Sequence, residues 1–390
     1  MNEIIAHYLT SGALEGFIVF ESILILVVLT NWLVLRRAGR HPEPEIFPQV
    51  SVLIPARNEE GNIHTCLLSL LSQDYPDFEV IVLDDQSEDG TLGEINRLKE
   101  ECPELKMIAG ELLPDGWLGK NWACHQLFES ARGEILFFTD ADTVHAPDTL
   151  KKVISSVQGE QADLITGVPR QILGSWSEKL LVPLFPWAFY TFNPLLLAYA
   201  IRFPELSAAV GQLMVFRREA YQKIGGHAGV RTSMVEDLEL ARRIKANGLR
   251  WRVMDITRMI SCRMYRNSGE VFQGLAKNLF PAFEHRVLVF LFVWFWLAFL
   301  FLEPVILILL GLIGAAIPPE AISRALICVV LAWFIWVFVF SRLRLPVWLG
   351  FFYPILIGGF ESMAFSSFWM TVSGRTTWKG RTIQPPRLRL

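Results

Sequence analysis

Long apolar runs at both ends of the chain restrict its fold more than any other feature. The first run covers residues 16–35, and three more follow toward the C-terminus, at 287–317, 321–340 and 345–372. A helix of about 20 apolar residues spans the hydrocarbon core of a bilayer. With 52% hydrophobic residues, the chain is too apolar for a purely soluble enzyme of its size. We therefore predict an integral membrane protein with one N-terminal helix and several C-terminal transmembrane helices.

Basic residues indicate how these helices are oriented. Arg36, Arg37 and Arg40 follow the first run, and residues 374–390 form a basic tail. Positively charged loops stay on the cytoplasmic side. The sequence therefore predicts a protein of the cell (plasma) membrane whose first helix ends in the cytoplasm, with the tail on the same side.

This orientation requires one C-terminal run to turn back within the membrane. Three full crossings from a cytoplasmic domain would leave the basic tail outside, against the charge rule. We prefer the third run, because Pro354 and the pair Gly358-Gly359 interrupt it and suit a re-entrant hairpin. A bend in the first C-terminal run, at Glu303-Pro304, is the alternative.

Charge and cysteine content argue against two other classes of protein. The net charge of −3 provides no basic field for nucleic acid. The scattered cysteines include no Cys-x-x-Cys pair, which argues against a zinc site or a disulfide framework and fits a reducing compartment. They are Cys66, Cys102, Cys124, Cys262 and Cys328.

The middle of the chain alternates short apolar runs with helical patterns. Strands are predicted at 50–54 (closed by Pro55), 79–83 and 133–138, and a helix at 60–71. This alternation predicts an α/β domain with a mostly parallel sheet. The predicted organisation is an N-terminal helix and linker (1–48), the α/β domain (49–265), an interfacial helix (266–285), transmembrane helices (286–373) and a basic cytoplasmic tail (374–390).

Each predicted strand ends in a polar cluster. The clusters cover residues 57–59, 84–87 and 140–142. If the strands are neighbours, five carboxylates meet at the carboxyl edge of the sheet, where such sheets bind ligands. A Mg²⁺ or Mn²⁺ ion on few carboxylates, with phosphate oxygens completing its shell, would neutralise the leaving diphosphate of a nucleotide-sugar. Asp85 is well placed to contact the nucleobase and ribose of such a donor.

Each cluster alone has a simpler interpretation. A single Asp-x-Asp is usually a loop, and Asp84-Asp85 suits a helix cap. Three such clusters, each at the end of a strand, favour the nucleotide-sugar site.

Several motifs resemble those of the inverting family 2 glycosyltransferases. The family motifs are residues 55–60 (Pro-Ala-Arg-Asn-Glu-Glu), 83–91 (Leu-Asp-Asp-Gln-Ser-Glu-Asp-Gly-Thr), 139–142 (Thr-Asp-Ala-Asp) and 235–240 (Val-Glu-Asp-Leu-Glu-Leu). Further pieces resemble the membrane-bound subgroup that glycosylates carotenoids, including diaponeurosporenoate, and the hopene-associated transferases: 114–123, 225–227, 263–265 and 274–278. The resemblance covers roughly residues 50–280. It implies a GT-A fold, a Rossmann-like, mostly parallel sheet.

The resemblance also implies roles for individual residues. Asp142 would bind the metal with Asp140 beside it, and Asp237 would be the general base, held in place by Glu236. Such a base deprotonates the acceptor hydroxyl during inverting attack. The residues expected to bind the nucleotide-sugar are Pro55, Arg57, Glu59, Asp85, Lys120, Asp140, Gln212, Arg263, Arg266, Lys277, Trp378 and Arg381.

Some of these assignments have alternatives. Glu236-Asp237 also suits the start of a helix, and Lys120 could be a surface lysine. The tail segment 378–381 (Trp-Lys-Gly-Arg) either closes the donor site or simply anchors the chain by its charge. Residues 247–251 resemble the Gln-x-x-Arg-Trp motif of processive synthases only in their Arg-Trp end, and we interpret them as a turn into a strand.

Two segments are expected to contact lipid. Residues 179–203 are apolar and contain three prolines, which predicts irregular structure that lies against the membrane. The acceptor is expected to enter between this segment and the C-terminal helices. Buried soluble core is the alternative interpretation. Residues 269–278 form an amphipathic pattern, which predicts an interfacial helix ended by Pro281.

These observations predict an inverting hexosyltransferase at the cytoplasmic membrane face. A sugar would pass from a nucleotide-sugar of the UDP-glucose type to a hydroxyl or carboxyl of a membrane lipid or a terpenoid or carotenoid acceptor. The expected partners are the donor, the lipid acceptor and membrane lipids, without nucleic acid, and the expected cofactor is Mg²⁺ or Mn²⁺. Alternatives are a ceramide-type or polyprenyl-phosphate glycosyltransferase, or a non-catalytic membrane scaffold with a degenerate transferase domain.

Overall fold

A computed structural model describes residues 13–43, 46–375, 377–378, 381–382 and 388–389, with backbone only at 36–37, 377–378 and 381–382. The chain divides into two compact units. The sheet unit comprises residues 33–172 and 195–264, and the helix unit comprises residues up to 32, 173–194 and those from 265 onward. Within the predicted α/β domain of 49–265, residues 173–194 belong to the helix unit. The segment before residue 49, from residue 33 onward, belongs to the sheet unit.

The sheet unit is built on an eight-stranded, mostly parallel sheet. Its strands lie in the order β1-β10-β7-β9-β5-β2-β3-β4, and only β9 runs antiparallel to its neighbours β5 and β7. A small second sheet has the order β6-β11-β8. The strands are β1 (Arg36–Arg37), β2 (Val50–Ala56), β3 (Phe78–Asp84), β4 (Lys106–Ala109), β5 (Ile135–Phe138), β6 (Thr143–His145), β7 (Leu164–Thr166), β8 (Arg170–Gln171), β9 (Met214–Arg217), β10 (Trp251–Asp255) and β11 (Ile260–Cys262).

Helices cover the sheet and confirm the predicted α/β class. The predicted helix at 60–71 forms as Ile63–Leu71, and it buries Ile63, Leu67 and Leu70. The helices from the start of the chain to the end of the sheet unit are α1 (Ala13–Val34), α2 (Ile63–Leu71), α3 (Thr91–Glu101), α4 (Gly119–Ser130), α5 (Thr149–Gly159), α6 (Trp176–Leu181), α7 (Leu184–Phe192), α8 (Leu195–Ala200), α9 (Arg218–Lys223), α10 (Gly226–Gly229) and α11 (Glu236–Ala246).

Strand β2 differs from the prediction at its end. Pro55 was expected to close it, but β2 continues to Ala56 and pairs there with β3. Its pairing with β5 stops at Leu53, so only β3 borders β2 at Pro55. Because the proline faces no second strand, its missing N–H leaves no ladder bond unmade.

The remaining helices belong to the helix unit. They are α12 (Ser268–Leu279), α13 (Val287–Leu312), α14 (Pro319–Arg342) and α15 (Tyr353–Val372). Short 3₁₀ turns lie at Pro204–Leu206 in the sheet unit and at Pro281–Phe283 and Val347–Phe352 in the helix unit. After α15, strands β12 (Thr377–Trp378) and β13 (Arg381–Thr382) form a hairpin. In the part of the chain that the structure describes, four segments are long and apolar enough to cross a membrane: α1, α13, α14 and residues 347–372.

The two strongly polar residues of helix α1, Glu21 and Asn31, differ in their hydrogen bonding. Asn31 lies on the buried face with Glu21, and its amide donates to the carbonyl oxygens of Tyr190 and Asn193, both at 2.8 Å. These bonds satisfy a polar group that would be costly in an apolar surrounding. None of the described residues donates such a hydrogen bond to the Glu21 carboxyl.

The apolar segment around residues 179–203 is helical instead of irregular. Its prolines lie where a helix tolerates them: Pro183 precedes α7, and Pro186 lies in its first turn, where the missing N–H has no intrahelical partner in any case. Asn193 and Pro194 then separate α7 from α8. The expectation of irregular structure here is therefore wrong, because the proline positions start helices.

Helix α13 runs without interruption through Pro304, so the first C-terminal run does not bend back there. The third run does break, but before Pro354, where the 3₁₀ turn meets α15. Gly358 and Gly359 lie inside α15 and do not interrupt it.

The contacts of α15 show the direction in which it returns. Its Tyr353, Phe360 and Phe368 rings contact Phe301, Trp294 and Phe290 of α13 in turn, so the two helices are antiparallel. Helices α13 and α14 also form an antiparallel hairpin, closed where Gly311 approaches Ile322. Residues 343–372 therefore begin and end at the same end of the helix unit, as a re-entrant segment would.

Candidate active site

The three polar clusters lie at one edge of the sheet. Strands β5, β2 and β3 are parallel neighbours, so their carboxyl ends point the same way. Asp84 ends β3 opposite Ala56, and Asp140 follows the end of β5. The structure thus brings together the residues after β2, the Asp84-Asp85 pair and the Asp140–Asp142 turn, as the sequence predicts.

Arg57 connects two of these strand ends. Its buried guanidinium donates to the carbonyl oxygens of Asp85 at 2.6 Å and Gln86 at 2.8 Å, and it pairs with Glu88 at 3.1 Å. Arg57 therefore fixes the loop that presents Asp85, a residue that is itself buried. Its contacts are those of a positioning residue.

Glu59 and Pro55 also shape this edge. Glu59 accepts from the side-chain amide of Asn62 at 2.9 Å, and its backbone N–H donates to Thr91 at 2.7 Å. Pro55 lies within β2, paired with Leu83. The residues after β2 are thereby tied to the start of α3.

A buried network supports the Asp140–Asp142 turn from below. The Thr143 hydroxyl donates to the carbonyl oxygen of Asp140 at 2.7 Å, and Thr139 donates to that of Gln212 at 2.9 Å. His145 Nε2 lies 2.9 Å from the Thr143 hydroxyl. Burial lowers the pKa of His145 to about 3, so the ring is neutral and needs no counter-ion. The turn is thus preorganised by hydroxyl and imidazole contacts.

Glu236 and Asp237 lie in the first turn of α11, so the helix-start interpretation of this pair is confirmed, and the general-base role stays a prediction. The Asp237 carboxylate accepts from the N–H groups of Gly211 at 3.0 Å and Leu238 at 2.8 Å. Burial, followed by the neighbouring Glu236 carboxylate, raises the pKa of Asp237 to about 7, while Lys120 and the two amides act against that shift. Asp237 is therefore oriented by two donors and has the proton affinity of a base that works near neutral pH.

Lys120 joins the two acidic motifs. Its ammonium lies 3.0 Å from Asp140 Oδ1 and 2.9 Å from Glu236 Oε1. A Cβ atom on Gly211 would lie 2.8 Å from the ammonium and within 3.8 Å of the Asp140 and Asp237 carboxylates, so these groups surround one point. Burial alone would lower the pKa of Lys120, but Asp140 and Glu236 raise it well above its usual value. The surface-lysine alternative is therefore wrong.

Asn121 is a structural residue of the site, and its role is not predicted from the sequence. Its buried amide nitrogen lies 2.9 Å from the carbonyl oxygen of Val230, 3.2 Å from that of Arg231 and 2.9 Å from that of Ser233. Residues 230–233 form the loop that leads into Glu236. Lys120 thus holds the start of α11 through its ion pair with Glu236, and Asn121 holds the preceding loop through its amide. Only its place beside Lys120 in the motif at 114–123 signalled this role.

We expect Asn121→Ala to lower the free energy of unfolding by about 1–3 kcal/mol, because the bonds from this buried amide to three carbonyl oxygens of the 230–233 loop are lost. Thermal unfolding of the purified chain in detergent measures the effect. Asn247→Ala is the matched control, since the Asn247 amide is exposed and makes one bond, to the Arg243 carbonyl at 2.9 Å. Equal unfolding midpoints for the two variants would contradict the role of Asn121.

Gln212 lies behind the Asp140–Asp142 turn. Its amide nitrogen lies 2.8 Å from Cys262 Sγ, and its carbonyl oxygen lies 3.4 Å from the Gln171 amide nitrogen. The Cys262 thiol in turn forms a side-chain hydrogen bond with Asp142. Gln212 is buried and its observed partners are protein groups, so a contact with ligand remains a prediction.

The other predicted donor-binding cations are placed as follows. Arg263 follows β11 in the sheet unit and is half-buried. Arg266 and Lys277 belong to the helix unit, where Arg266 is exposed before α12 and Lys277 is half-buried on it. The side chains of Trp378 and Arg381 lie outside the described residues. Residues 247–251 form a turn into β10, with Gly248 at φ +72°, as predicted.

The acidic residues offer an incomplete set of metal ligands. Within the described residues, no group of three or more His, Cys, Asp or Glu side chains is arranged to hold a metal ion. Asp140 and Asp142 present carboxylate oxygens from one turn, which is the donor type that Mg²⁺ and Mn²⁺ prefer. The pair fits a cation that takes its remaining ligands from outside the protein.

The sequence of this chain is similar to those of known glycosyltransferases. Residues 51–225 match the protein family described as glycosyl transferase family 2. A beta-monoglucosyldiacylglycerol synthase from Nostoc sp. is 31% identical over 40% of this chain and 35% of the relative. A 4,4'-diaponeurosporenoate glycosyltransferase from Staphylococcus haemolyticus is 27% identical over 61% of this chain and 62% of the relative. The chain thus spans less than two thirds of the length of these curated relatives.

A solved structure resembles the whole chain in fold. It is a mannosyltransferase from Pyrobaculum calidifontis in complex with GDP-Man and Mn²⁺, which is 20% identical. The likeness has a TM-score of 0.57 and covers 95% of this chain and 99% of that one. The predicted GT-A fold with added membrane helices is therefore confirmed.

Proposed function

We propose that this chain, which carries a glycosyl transferase family 2 domain, is an inverting glycosyltransferase that moves a hexose from a nucleotide-sugar to a membrane lipid. The observation that carries the proposal is the convergence of Asp140, Glu236 and Asp237 around one ammonium at the carboxyl edge of a parallel sheet. Ligands bind at this edge in such folds. The oriented carboxylate of Asp237 supplies the base that an inverting displacement requires.

The reaction is a single displacement. The acceptor hydroxyl oxygen attacks the anomeric carbon, its proton passes to an Asp237 carboxylate oxygen, and the bond from the anomeric carbon to the diphosphate oxygen breaks. The N–H groups of Gly211 and Leu238 fix the carboxylate, so little reorganisation accompanies proton transfer. A carboxyl acceptor is already ionised and depends little on Asp237.

Asp140 and Asp142 are the residues that would bind Mg²⁺ or Mn²⁺. Such a cation, when bound, offsets the negative charge of the departing nucleoside diphosphate. The Pyrobaculum neighbour was solved with Mn²⁺, which supports a divalent ion here. Asp85 and the Arg57-supported loop are proposed to bind the nucleoside, and Arg263 the diphosphate. A role of Arg266, Lys277, Trp378 and Arg381 in donor binding stays a prediction.

The relatives support a lipid acceptor. The names of two of them specify a glucosylated diacylglycerol and a carotenoid acid. We therefore propose a donor of the UDP-glucose type and an acceptor that is a glycerolipid or a terpenoid with a hydroxyl or carboxyl group. GDP-mannose is a second donor to test, because the structural neighbour contains GDP-Man.

Product analysis tests the proposal directly. The purified chain in detergent is incubated with UDP-glucose, UDP-galactose, UDP-N-acetylglucosamine or GDP-mannose, a divalent cation and membrane lipid extract, and the lipids are examined by mass spectrometry. One of the hexose donors is expected to yield a lipid heavier by one hexose residue, and a gain of one N-acetylhexosamine would assign UDP-N-acetylglucosamine as the donor instead. No modified lipid with any donor, together with no nucleotide binding, would favour a non-catalytic scaffold.

Transfer to a hydroxyl acceptor is expected to depend on pH. Asp237 acts as a base only when it is deprotonated, so kcat should fall as pH drops through its raised pKa of about 7. Initial rates at saturating donor from about pH 5.5 to 8.5 measure the profile, and a carboxyl acceptor is the comparison. A flat profile with the hydroxyl acceptor would contradict the assignment of the base.

We also propose that the catalytic domain and the tail face the cytoplasm of the plasma membrane. Arg389 exchanges backbone hydrogen bonds with His285 and Val287 at the start of α13, which supports a re-entrant third run. A cysteine added after Leu390 should resist a membrane-impermeant thiol reagent in intact cells and react after lysis. Labelling of intact cells would contradict the proposed orientation.

A further inference from the structure

Lys120 forms ion pairs with both acidic motifs of the site. Its ammonium bridges Asp140, a proposed metal ligand, and Glu236, the neighbour of the proposed base. The two carboxylates lie on different elements, after β5 and at the start of α11. The lysine is therefore the charge that connects the metal motif with the base motif.

One positive charge here serves several negative ones. Asp140, Glu236 and Asp237 all lie close to the ammonium. A divalent cation held by Asp140 would share that carboxylate with the ammonium, which lies 3.0 Å from Asp140 Oδ1, and like charges repel each other. The ammonium would therefore compete with a metal for Asp140.

We propose that Lys120 is an internal counter-cation that keeps Asp140 from binding a divalent metal until the diphosphate of the donor draws the ammonium away. The identity of that diphosphate rests on the proposed function. A lysine on a flexible stem suits this exchange, because its compact charge binds carboxylate and phosphate alike. Nearby Gly211 favours the exchange, since a side chain there would occupy the space beside the ammonium.

The proposal predicts that metal and nucleotide bind cooperatively. Nucleotide removes the ammonium from Asp140 and so raises metal affinity, and by linkage the metal raises nucleotide affinity by the same factor. Without Lys120, Asp140 is available from the start. The cooperativity should then largely disappear.

The experiment measures Mn²⁺ binding by the purified full chain in detergent, from the EPR signal of free Mn²⁺, without nucleotide and with UDP. Native chain is expected to bind Mn²⁺ at least about tenfold more tightly with UDP. Lys120→Met should bind Mn²⁺ alone at least about tenfold more tightly than native chain does, because one opposing charge contributes roughly that factor or more. Lys120→Arg, which keeps the charge, should behave like native chain.

Matched controls assign the effect. Lys106→Met removes a lysine that also pairs with one carboxylate, Glu79, and should leave Mn²⁺ binding unchanged. Asp140→Asn added to Lys120→Met should abolish the gain. If Lys120→Met loses its helical circular dichroism, Lys120→Gln takes its place in the measurement.

Two results would overturn the proposal. One is a folded Lys120→Met variant that binds Mn²⁺ no more tightly than native chain. The other is the same enhancement by UDP with and without Lys120. A gain in Lys120→Met with no transfer to any lipid would instead support the counter-cation and contradict the transferase function, so the two failures are distinguishable.

Discussion

Asp237→Asn is expected to lower kcat for transfer to a hydroxyl acceptor by about 10²–10⁴-fold, the usual contribution of a general base. The amide is nearly isosteric with the carboxylate, and its one oxygen can still accept from one of the N–H groups of Gly211 and Leu238, which bond to different carboxylate oxygens. It cannot take the acceptor proton. The variant should therefore fold and bind UDP with nearly native affinity.

The measurement combines initial rates with UDP binding by calorimetry. Glu239→Gln is the matched control, because Glu239 lies in the same first turn of α11 but pairs with Arg243. It should keep nearly native rates. A native rate in Asp237→Asn would remove this carboxylate from the mechanism, and loss of UDP binding would assign it to the donor instead.

Asp142→Asn is expected to lower transfer by about 10²–10³-fold, the scale of removing one preorganised electrostatic group. The substitution removes one of the two carboxylates that fit a divalent cation, so the leaving diphosphate loses part of its neutralisation. Unlike Asp237→Asn, it should also weaken the dependence of UDP affinity on Mn²⁺. The two aspartates are thereby separated by a binding measurement as well as by rate.

The control for this variant is Asp77→Asn. Asp77 is exposed just before β3, at the opposite end of the strand from Asp84, and should leave rate and Mn²⁺ dependence unchanged. If Asp142→Asn retains a native Mn²⁺ effect on UDP binding, the metal site lies elsewhere.

The sheet and its acidic edge could be predicted because the signals are local. Each strand is a short apolar run, and each polar cluster follows directly on it, so neighbouring parallel strands suffice to bring Asp85 and Asp140 to one edge. The cytoplasmic orientation of the tail stays a prediction, because it rests on charge alone. The position of the break before Pro354 could not be predicted, because packing against α13 decides it.

The sequence could not predict the partners of Lys120 and Asn121. Both lie more than 100 positions from the α11 loop and helix that they contact, and no periodicity encodes such a contact. The sequence does not predict the short helices at 176–192 for a different reason. The prolines there suggest breaks in a helix, although a proline in the first turn of a helix is compatible with it.

The anomeric configuration of the lipid product tests the central claim most directly. NMR of the purified product gives the coupling between the first two ring protons of the transferred sugar. A single displacement with Asp237 as base predicts inversion, so an α-linked donor such as UDP-glucose should yield a β-linked lipid. An α-linked product would mean retention, which contradicts the proposed mechanism.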